Sequence, residues 1–214
     1  MEFFLNLLRS VAYGIIEGVT EWLPISSTGH MILAEQVLKF SFSAEFMEMF
    51  RVVIQLGAIL AVVVLYFKKL WPFCADNGRD SGFSRHFRWP VVRLWCKIIV
   101  ACVPAAVLGL LLDDWLDAHL YNSITVALML IIYGIAFILI ERRPRVPTTT
   151  KLSRITYKQA LIVGAWQVLA LIPGTSRSGS TIIGGLLCGM SRPAASQFTF
   201  FLAIPVMAGA SGLK

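Results

Sequence analysis

Two short polar stretches in this sequence hold residues whose types and spacing suit phosphate chemistry. The first runs from Glu17 to His30 and reads EGVTEWLPISSTGH. Glu17 and Glu21 are four residues apart, so a helix that continues to Trp22 places both carboxylates on one face. Two carboxylates this close favour a divalent cation between them, Mg²⁺ or Ca²⁺, which would also bridge a phosphate. The spacing therefore predicts a metal and phosphate site.

The residues after Pro24 in this stretch are typical of the N-terminus of a helix that binds an anion. The hydroxyl and amide groups that would bind it belong to Ser26, Ser27, Thr28 and Gly29. His30 follows Ser27 closely enough to act as its general base or to donate a proton to a leaving oxygen. Spacing leaves open which of the two is the nucleophile. In the structural alternative, the hydroxyls only cap a helix and the glutamates line a water-filled vestibule.

The second stretch runs from Pro173 to Thr181 and reads PGTSRSGST. Arg177 within it is the only charged residue between Lys158 and Arg192. A buried arginine needs an anion, which is either a glutamate of the first stretch or a phosphate that it binds bidentately. The residues that would surround this phosphate are Gly174, Ser176, Ser178 and Gly179. The alternative is an ion pair between Arg177 and a glutamate that only fixes the packing of the two stretches. Arg177 can have both roles if the substrate phosphate replaces the carboxylate.

The chain around these stretches has the composition of an integral membrane protein. Of its 214 residues, 57% are hydrophobic and 14% are charged, against about 25% charged in soluble domains. Segments of the roughly 20 residues that a span requires are Met47 to Phe67, Val91 to Leu112, Ser123 to Ile140, and one from about Ser196 onwards. Gln55 in the first span is a further candidate for the site, although an interhelical hydrogen bond is the simpler role. We expect an all-α polytopic fold.

The net charge of +7 reflects two basic loops and does not indicate a nucleic-acid partner. Seven Lys and Arg residues lie between Lys68 and Lys97, and six lie between Arg142 and Lys158. Two predicted spans separate these loops, so the loops share a side, and the positive-inside rule makes that side cytoplasmic. The acidic stretch 113–117 between those spans is expected to be an external link.

Two pairs of apolar segments are too short to span a bilayer, and each pair flanks one polar stretch. They are Phe3 to Ile16 with Met31 to Phe40, and Ala160 to Ile172 with Thr181 to Met190. Irregular polar backbone is tolerated at membrane depth only inside protein or beside water. The pattern therefore predicts two re-entrant helix hairpins.

The sequence also shows a weak internal repeat. A shift of 150 residues aligns GIIE at 14–17 with GAWQ at 164–167, and SSTG at 26–29 with SRSG at 176–179. We predict one transmembrane domain, 1–214, made of a first repeat (1–140), a cytoplasmic linker (141–158) and a partial second repeat (159–214). Each unit is a hairpin followed by three spans, so the second is inverted and the polar loops meet near the midplane. The second repeat is truncated, or the chain is a fragment.

The polar motifs resemble those of a known family. EGVTEWLPISSTGH at 17–30 and PGTSRSG at 173–179 look like the motifs of the bacterial undecaprenyl-diphosphate phosphatases of the bacitracin-resistance type. The resemblance extends through VVIQLG at 52–57 and SRPAASQF at 191–198, so it covers most of the chain in order.

The resemblance implies hydrolysis of undecaprenyl diphosphate to the monophosphate, which recycles the lipid carrier for cell-wall synthesis. It implies a multi-pass protein of the bacterial cytoplasmic membrane with its active site facing outside. Glu17 and Glu21 match the family's acidic motif, Ser27 its proposed nucleophile, His30 the acid/base partner and Arg177 the phosphate-binding arginine. The expected partners are an isoprenoid diphosphate lipid and the bilayer, and a homodimer is left open.

Two other classes of protein share some of these features. A prenyl-phosphate transporter or flippase would use the same inverted-repeat cavity. The other membrane lipid-phosphatase family needs a catalytic histidine after its Ser-Arg element, whereas the last histidine here is His119. That family is therefore excluded, and the transporter is the remaining alternative.

Overall fold

The computed structural model describes residues 2–40, 42–74, 86–120, 122–142 and 146–213, and it is nearly all helical. The α-helices are α1 (Glu2–Thr20), α2 (Ser27–Leu38), α3 (Ala44–Leu65), α4 (Phe67–Leu70), α5 (Trp89–Leu120), α6 (Ser123–Glu141), α7 (Tyr157–Gln167), α8 (Arg177–Leu187) and α9 (Arg192–Leu213). Short 3-10 turns cover Leu152–Arg154 and Val168–Leu171. Within the described ranges, β structure is limited to two isolated bridges.

Four of these helices are long and apolar enough to cross a membrane, as the sequence predicted. The candidate spans are Glu45–Leu65, Trp89–Leu112, Ile124–Glu141 and Arg192–Gly212. They agree with the four segments expected from composition, although the last begins about four residues earlier. Pro104 lies inside α5 without ending it. The chain is an integral membrane protein.

The acidic stretch 113–117 lies between two candidate spans, which end at Leu112 and begin again at Ile124, as expected for a link. Its conformation differs from the expected turn, because α5 continues as a helix through it to Leu120. The next helix begins only after Asn122, whose side chain accepts a hydrogen bond from the backbone N–H of Thr125 at 2.9 Å. Asp and Trp reduce helix propensity only slightly, so charge at a membrane boundary does not by itself end a helix.

The basic loops that set the predicted orientation are described only in part. Residues 75–85 of the first loop and 143–145 of the second lie outside the described residues. The assignment of both loops to the cytoplasmic side therefore stays a prediction.

The two polar stretches each lie between a pair of helices. The first stretch joins α1 to α2, which pack on each other, and the second joins α7 to α8 in the same way. Close contact between α5 and α7 depends on Gly164, since a Cβ there would lie 2.3 Å from the carbonyl oxygen of Ala101. A buried core of residues from α5, α7 and α9, including Ile98, Val163 and Phe198, holds the second pair in place.

Candidate functional site

The two glutamates of the first stretch lie on one face of α1. The helix ends at Thr20, but the N–H of Glu21 donates to the carbonyl of Glu17 at 2.9 Å, which continues the helical pattern for one more residue. Glu17 is 1% exposed and Glu21 is 7% exposed. The predicted spacing on one face is therefore present, and both carboxyl groups are buried.

The carboxylate of Glu21 joins the two polar stretches. Nη2 of Arg177 donates to Oε1 of Glu21 at 2.7 Å, and the hydroxyl of Ser27 donates to Oε2 at 2.7 Å. The same Nη2 lies 3.4 Å from the thioether sulfur of Met207 on α9. The structure thus brings Glu21, Ser27 and Arg177 into one buried network, although Arg177 is 156 residues from Glu21.

Two helices begin at residues of this network, α2 at Ser27 and α8 at Arg177. Ser26 caps α2 by accepting from the N–H of Gly29 at 3.4 Å, and Ser176 caps α8 by accepting from the N–H of Gly179 at 3.1 Å. Ser26 adopts a φ of 60°. Because a helix N-terminus carries partial positive charge and free N–H groups, two of them together favour an anion.

Ser178 holds the second loop against the first. Its hydroxyl lies within donor distance of the carbonyl oxygens of Glu21, at 3.3 Å, and of Leu23, at 3.2 Å. It also contacts the hydroxyl of Ser176 at 3.1 Å. Gly174 has a φ of +88°, and its Cα faces the backbone of Val126, so a side chain there would collide. These residues shape and join the loops.

The hydrogen bond described for His30 goes to the backbone of Ser26 and not to the Ser27 hydroxyl. Nδ1 of His30 bonds the carbonyl oxygen of Ser26 at 2.9 Å. A carbonyl oxygen only accepts, so Nδ1 donates this bond, and in a neutral imidazole Nε2 would be the nitrogen that accepts a proton. The group beside the Ser27 hydroxyl is Glu21. Of the remaining predicted residues, Thr28 is exposed and Gln55 on α3 is half-buried.

Several buried polar atoms near the two loops have no hydrogen-bond partner. In the part of the chain that the structure describes, they are Oε1 of Glu17, Nη1 of Arg177, Oγ1 of Thr175 and both amide atoms of Gln167. Proteins rarely leave such groups unpaired. Neither Gln167 nor Thr175 is among the site residues that the sequence predicts. The signal for Gln167 was its alignment with Glu17 in the 150-residue repeat.

The predicted cation site fits this arrangement only in part. Glu17 has a buried oxygen without a partner, and Glu21 and Arg177 both lie close enough to act on its charge. Both oxygens of Glu21 are engaged by Arg177 and Ser27. Among the described residues, no three His, Cys, Asp or Glu side chains form a group that could hold a metal. Glu17 is therefore the residue suited to contact a cation.

The fold and the site together define a class: a polytopic helical membrane protein with a buried centre suited to an anionic group. Comparison with known proteins makes this assignment specific. A family model described as "Bacitracin resistance protein BacA" matches residues 10–214, and the chain belongs to that family.

Similar proteins carry one common name. An Enterococcus faecalis protein named undecaprenyl-diphosphatase is 60% identical over 213 residues, which cover 99% of this chain and 75% of that protein. Proteins of the same name from Streptococcus sanguinis and Streptococcus thermophilus are 56% and 54% identical, and this chain covers 74% and 73% of them.

Proposed function

We propose that this protein hydrolyses undecaprenyl diphosphate to undecaprenyl phosphate and inorganic phosphate. The reaction recycles the lipid carrier for cell-wall synthesis and so confers bacitracin resistance. The observation that carries the proposal is the buried network in which Arg177 and Ser27 share the carboxylate of Glu21. Arg177 and the hydroxyl of Ser27 bond the two oxygens of this one carboxylate, which supports their proposed roles as phosphate-binding cation and nucleophile.

The substrate enters by replacing the carboxylate on Arg177. A terminal phosphate that binds the guanidinium bidentately releases Oε1 of Glu21 from its ion pair. Nη1 of Arg177, which is buried without a partner, supplies the second donor. The N-termini of α2 and α8 then stabilise the charge that the phosphate brings, in a place where water is excluded.

Ser27 is the proposed nucleophile. Its Oγ attacks the terminal phosphorus, the Oγ–P bond forms, and the bridging P–O bond breaks as undecaprenyl phosphate leaves. The hydroxyl proton passes to Glu21, which already accepts it as a hydrogen bond, or to Nε2 of His30. Water then attacks the phosphoserine, and inorganic phosphate leaves as Ser27 regains its proton. Attack by His30 itself is the alternative.

A divalent cation, Mg²⁺ or Ca²⁺, is proposed as cofactor. When bound, it would neutralise part of the diphosphate charge. Glu17 would contact it, since its Oε1 is buried and free of other bonds. Glu21 would be a second ligand once its carboxylate is released from Arg177, since both of its oxygens are otherwise engaged.

We also propose the inverted repeat, with its polar loops entering from opposite sides. Corresponding positions at the 150-residue offset behave alike: Ser26 and Ser176 both cap helices, and Glu17 and Gln167 are both buried with unpartnered atoms. The helices α3 and α9, which carry aligned residues, pack on each other.

The protein lies in the bacterial cytoplasmic membrane with this site facing outside, and a homodimer is compatible with the proposal.

The test of the proposal is release of inorganic phosphate from undecaprenyl diphosphate by the purified chain in detergent with Mg²⁺. We expect release by the wild type and none above background from Ser27→Ala or Arg177→Ala. The matched controls are Ser196→Ala on α9 and Arg154→Ala, which is exposed, and both should retain activity. Binding of the lipid without release by the wild type would contradict hydrolysis and favour a transporter.

A further inference from the structure

The amide of Gln167 is buried in a way that its surroundings do not explain. Gln167 is 2% exposed, and neither Nε2 nor Oε1 has a hydrogen-bond partner. Burial of an amide without partners costs free energy. A glutamine buried at the end of α7 therefore indicates that a polar group binds its amide.

The backbone places Gln167 beside the first turn of α8. The hydroxyl of Ser180 donates to the carbonyl oxygen of Trp166, which belongs to the peptide group that joins Trp166 to Gln167. Ser180 is three residues after Arg177, about one helical turn. Such a turn rises about 5.4 Å, a distance comparable with the length of an extended glutamine side chain. The backbone next to Gln167 thus lies about one helical turn of α8 from Arg177.

The other unpartnered atoms in the described part of the chain belong to the same region. They lie on Glu17, Thr175 and Arg177. Thr175 is in the loop that follows Gln167, and Arg177 is the first residue of α8 after that loop. Gln167 also lies ten residues before Arg177, the same separation that joins Glu17 to Ser27. A diphosphate headgroup has enough oxygens to satisfy the donors among these atoms at once.

We propose that Gln167 is a further substrate-binding residue, whose Nε2 donates to a phosphate oxygen of the prenyl diphosphate headgroup. Its Oε1 then accepts from water bound with the headgroup. This inference rests on the proposed function, and it adds a neutral hydrogen-bond donor from the end of α7. A neutral amide binds the phosphate without the repulsion that a second carboxylate at this position would introduce.

The test is Gln167→Met, which keeps the length of the side chain and removes both polar atoms, with Gln197→Met on α9 as the matched control. We expect kcat/KM for undecaprenyl diphosphate to fall about 10-fold to 100-fold in Gln167→Met, as for a lost hydrogen bond to a charged group. The melting temperature should stay the same or rise, because an unpartnered amide is no longer buried. The control should change neither quantity.

A second readout measures binding without catalysis. We expect inorganic pyrophosphate to raise the melting temperature of the wild type and of Gln197→Met, and to raise that of Gln167→Met less. Equal shifts with equal kcat/KM would overturn the role of Gln167, and so would a loss of activity that follows a loss of stability. If the wild type releases no phosphate but pyrophosphate still distinguishes the variants, the proposed hydrolysis fails and the binding role of Gln167 stands.

Discussion

Arg177 and Glu21 form an ion pair of 2.7 Å between the start of α8 and the end of α1, and both side chains are almost excluded from solvent. Because one guanidinium nitrogen of Arg177 has no partner, the carboxylate does not use the full binding capacity of the arginine. A bidentate phosphate would use it. The pair therefore joins the end of α1 to the start of α8 and leaves one guanidinium nitrogen of Arg177 available to a second acceptor.

Removal of Arg177 should cost stability as well as activity. Arg177→Ala leaves the Glu21 carboxylate buried and unpaired, and we expect a loss of about 3–5 kcal/mol in the free energy of unfolding. Glu21→Gln combined with Arg177→Ala should restore part of this loss, because no uncompensated charge then remains. Chemical denaturation in detergent measures both.

The control for this cycle is the ion pair between Arg192 and Glu141, whose side chains are 59% and 44% exposed. Arg192→Ala should change the free energy of unfolding by less than about 1 kcal/mol. Additive losses in the Arg177 and Glu21 variants would mean that the two residues do not interact in solution.

Much of the site was predictable because charge is rare in this sequence. Arg177 is alone in a long apolar region, so its need for an anion follows from its cost in a membrane. The two glutamates in the first stretch were the obvious partners. Sequence could not select Glu21 over Glu17, because that choice depends on how the α7–α8 loop lies against the end of α1.

Other features could not be predicted for physical reasons. The hydroxyl of Ser178 contacts backbone carbonyls of residues 21 and 23, and such contacts follow from tertiary packing rather than from residue type. From the sequence alone, Gln167 would be taken for a residue that packs between helices. Whether its amide has a hydrogen-bond partner depends on the tertiary structure. The continuation of α5 beyond its membrane span does not follow from the sequence, because acidic residues can end a span without ending the helix.

Substitution of His30 should reduce catalysis without unfolding the protein. His30→Asn retains a side-chain donor that can replace the bond from Nδ1 to the Ser26 carbonyl, but it lacks Nε2. If Nε2 moves a proton in the reaction, kcat should fall about 100-fold or more, while the melting temperature changes little. An unchanged kcat in His30→Asn would leave Glu21 as the group that accepts the Ser27 proton.

The loop glycine Gly174 should be intolerant of any side chain. Its φ is +88°, and a Cβ would lie 2.6 Å from the Cα of Val126, so Gly174→Ala should strongly lower the melting temperature. Gly134→Ala is the matched control, because a Cβ there meets no atom within 4 Å and lies inside α6. Alanine in that helix should leave stability equal or raise it by about 0.5–1 kcal/mol. Similar effects at both positions would contradict the loop geometry.

Glu17→Gln should separate cation binding from folding. The wild-type carboxyl group is 1% exposed with one oxygen unpartnered, so replacement by a neutral amide should not lower the melting temperature, since burial of charge is costly. If Glu17 contacts the cation, the Mg²⁺ concentration for half-maximal phosphate release should rise at least tenfold, and calorimetric titration with Mg²⁺ should show weaker binding.

Chelation by EDTA should stop phosphate release by the wild type, and added Mg²⁺ should restore it. The control is Glu45→Gln, at an exposed position near the start of α3, which should leave the Mg²⁺ requirement unchanged. Full activity of the wild type in EDTA would remove the cation from the mechanism, and the buried Glu17 would then serve only the packing of the two hairpins.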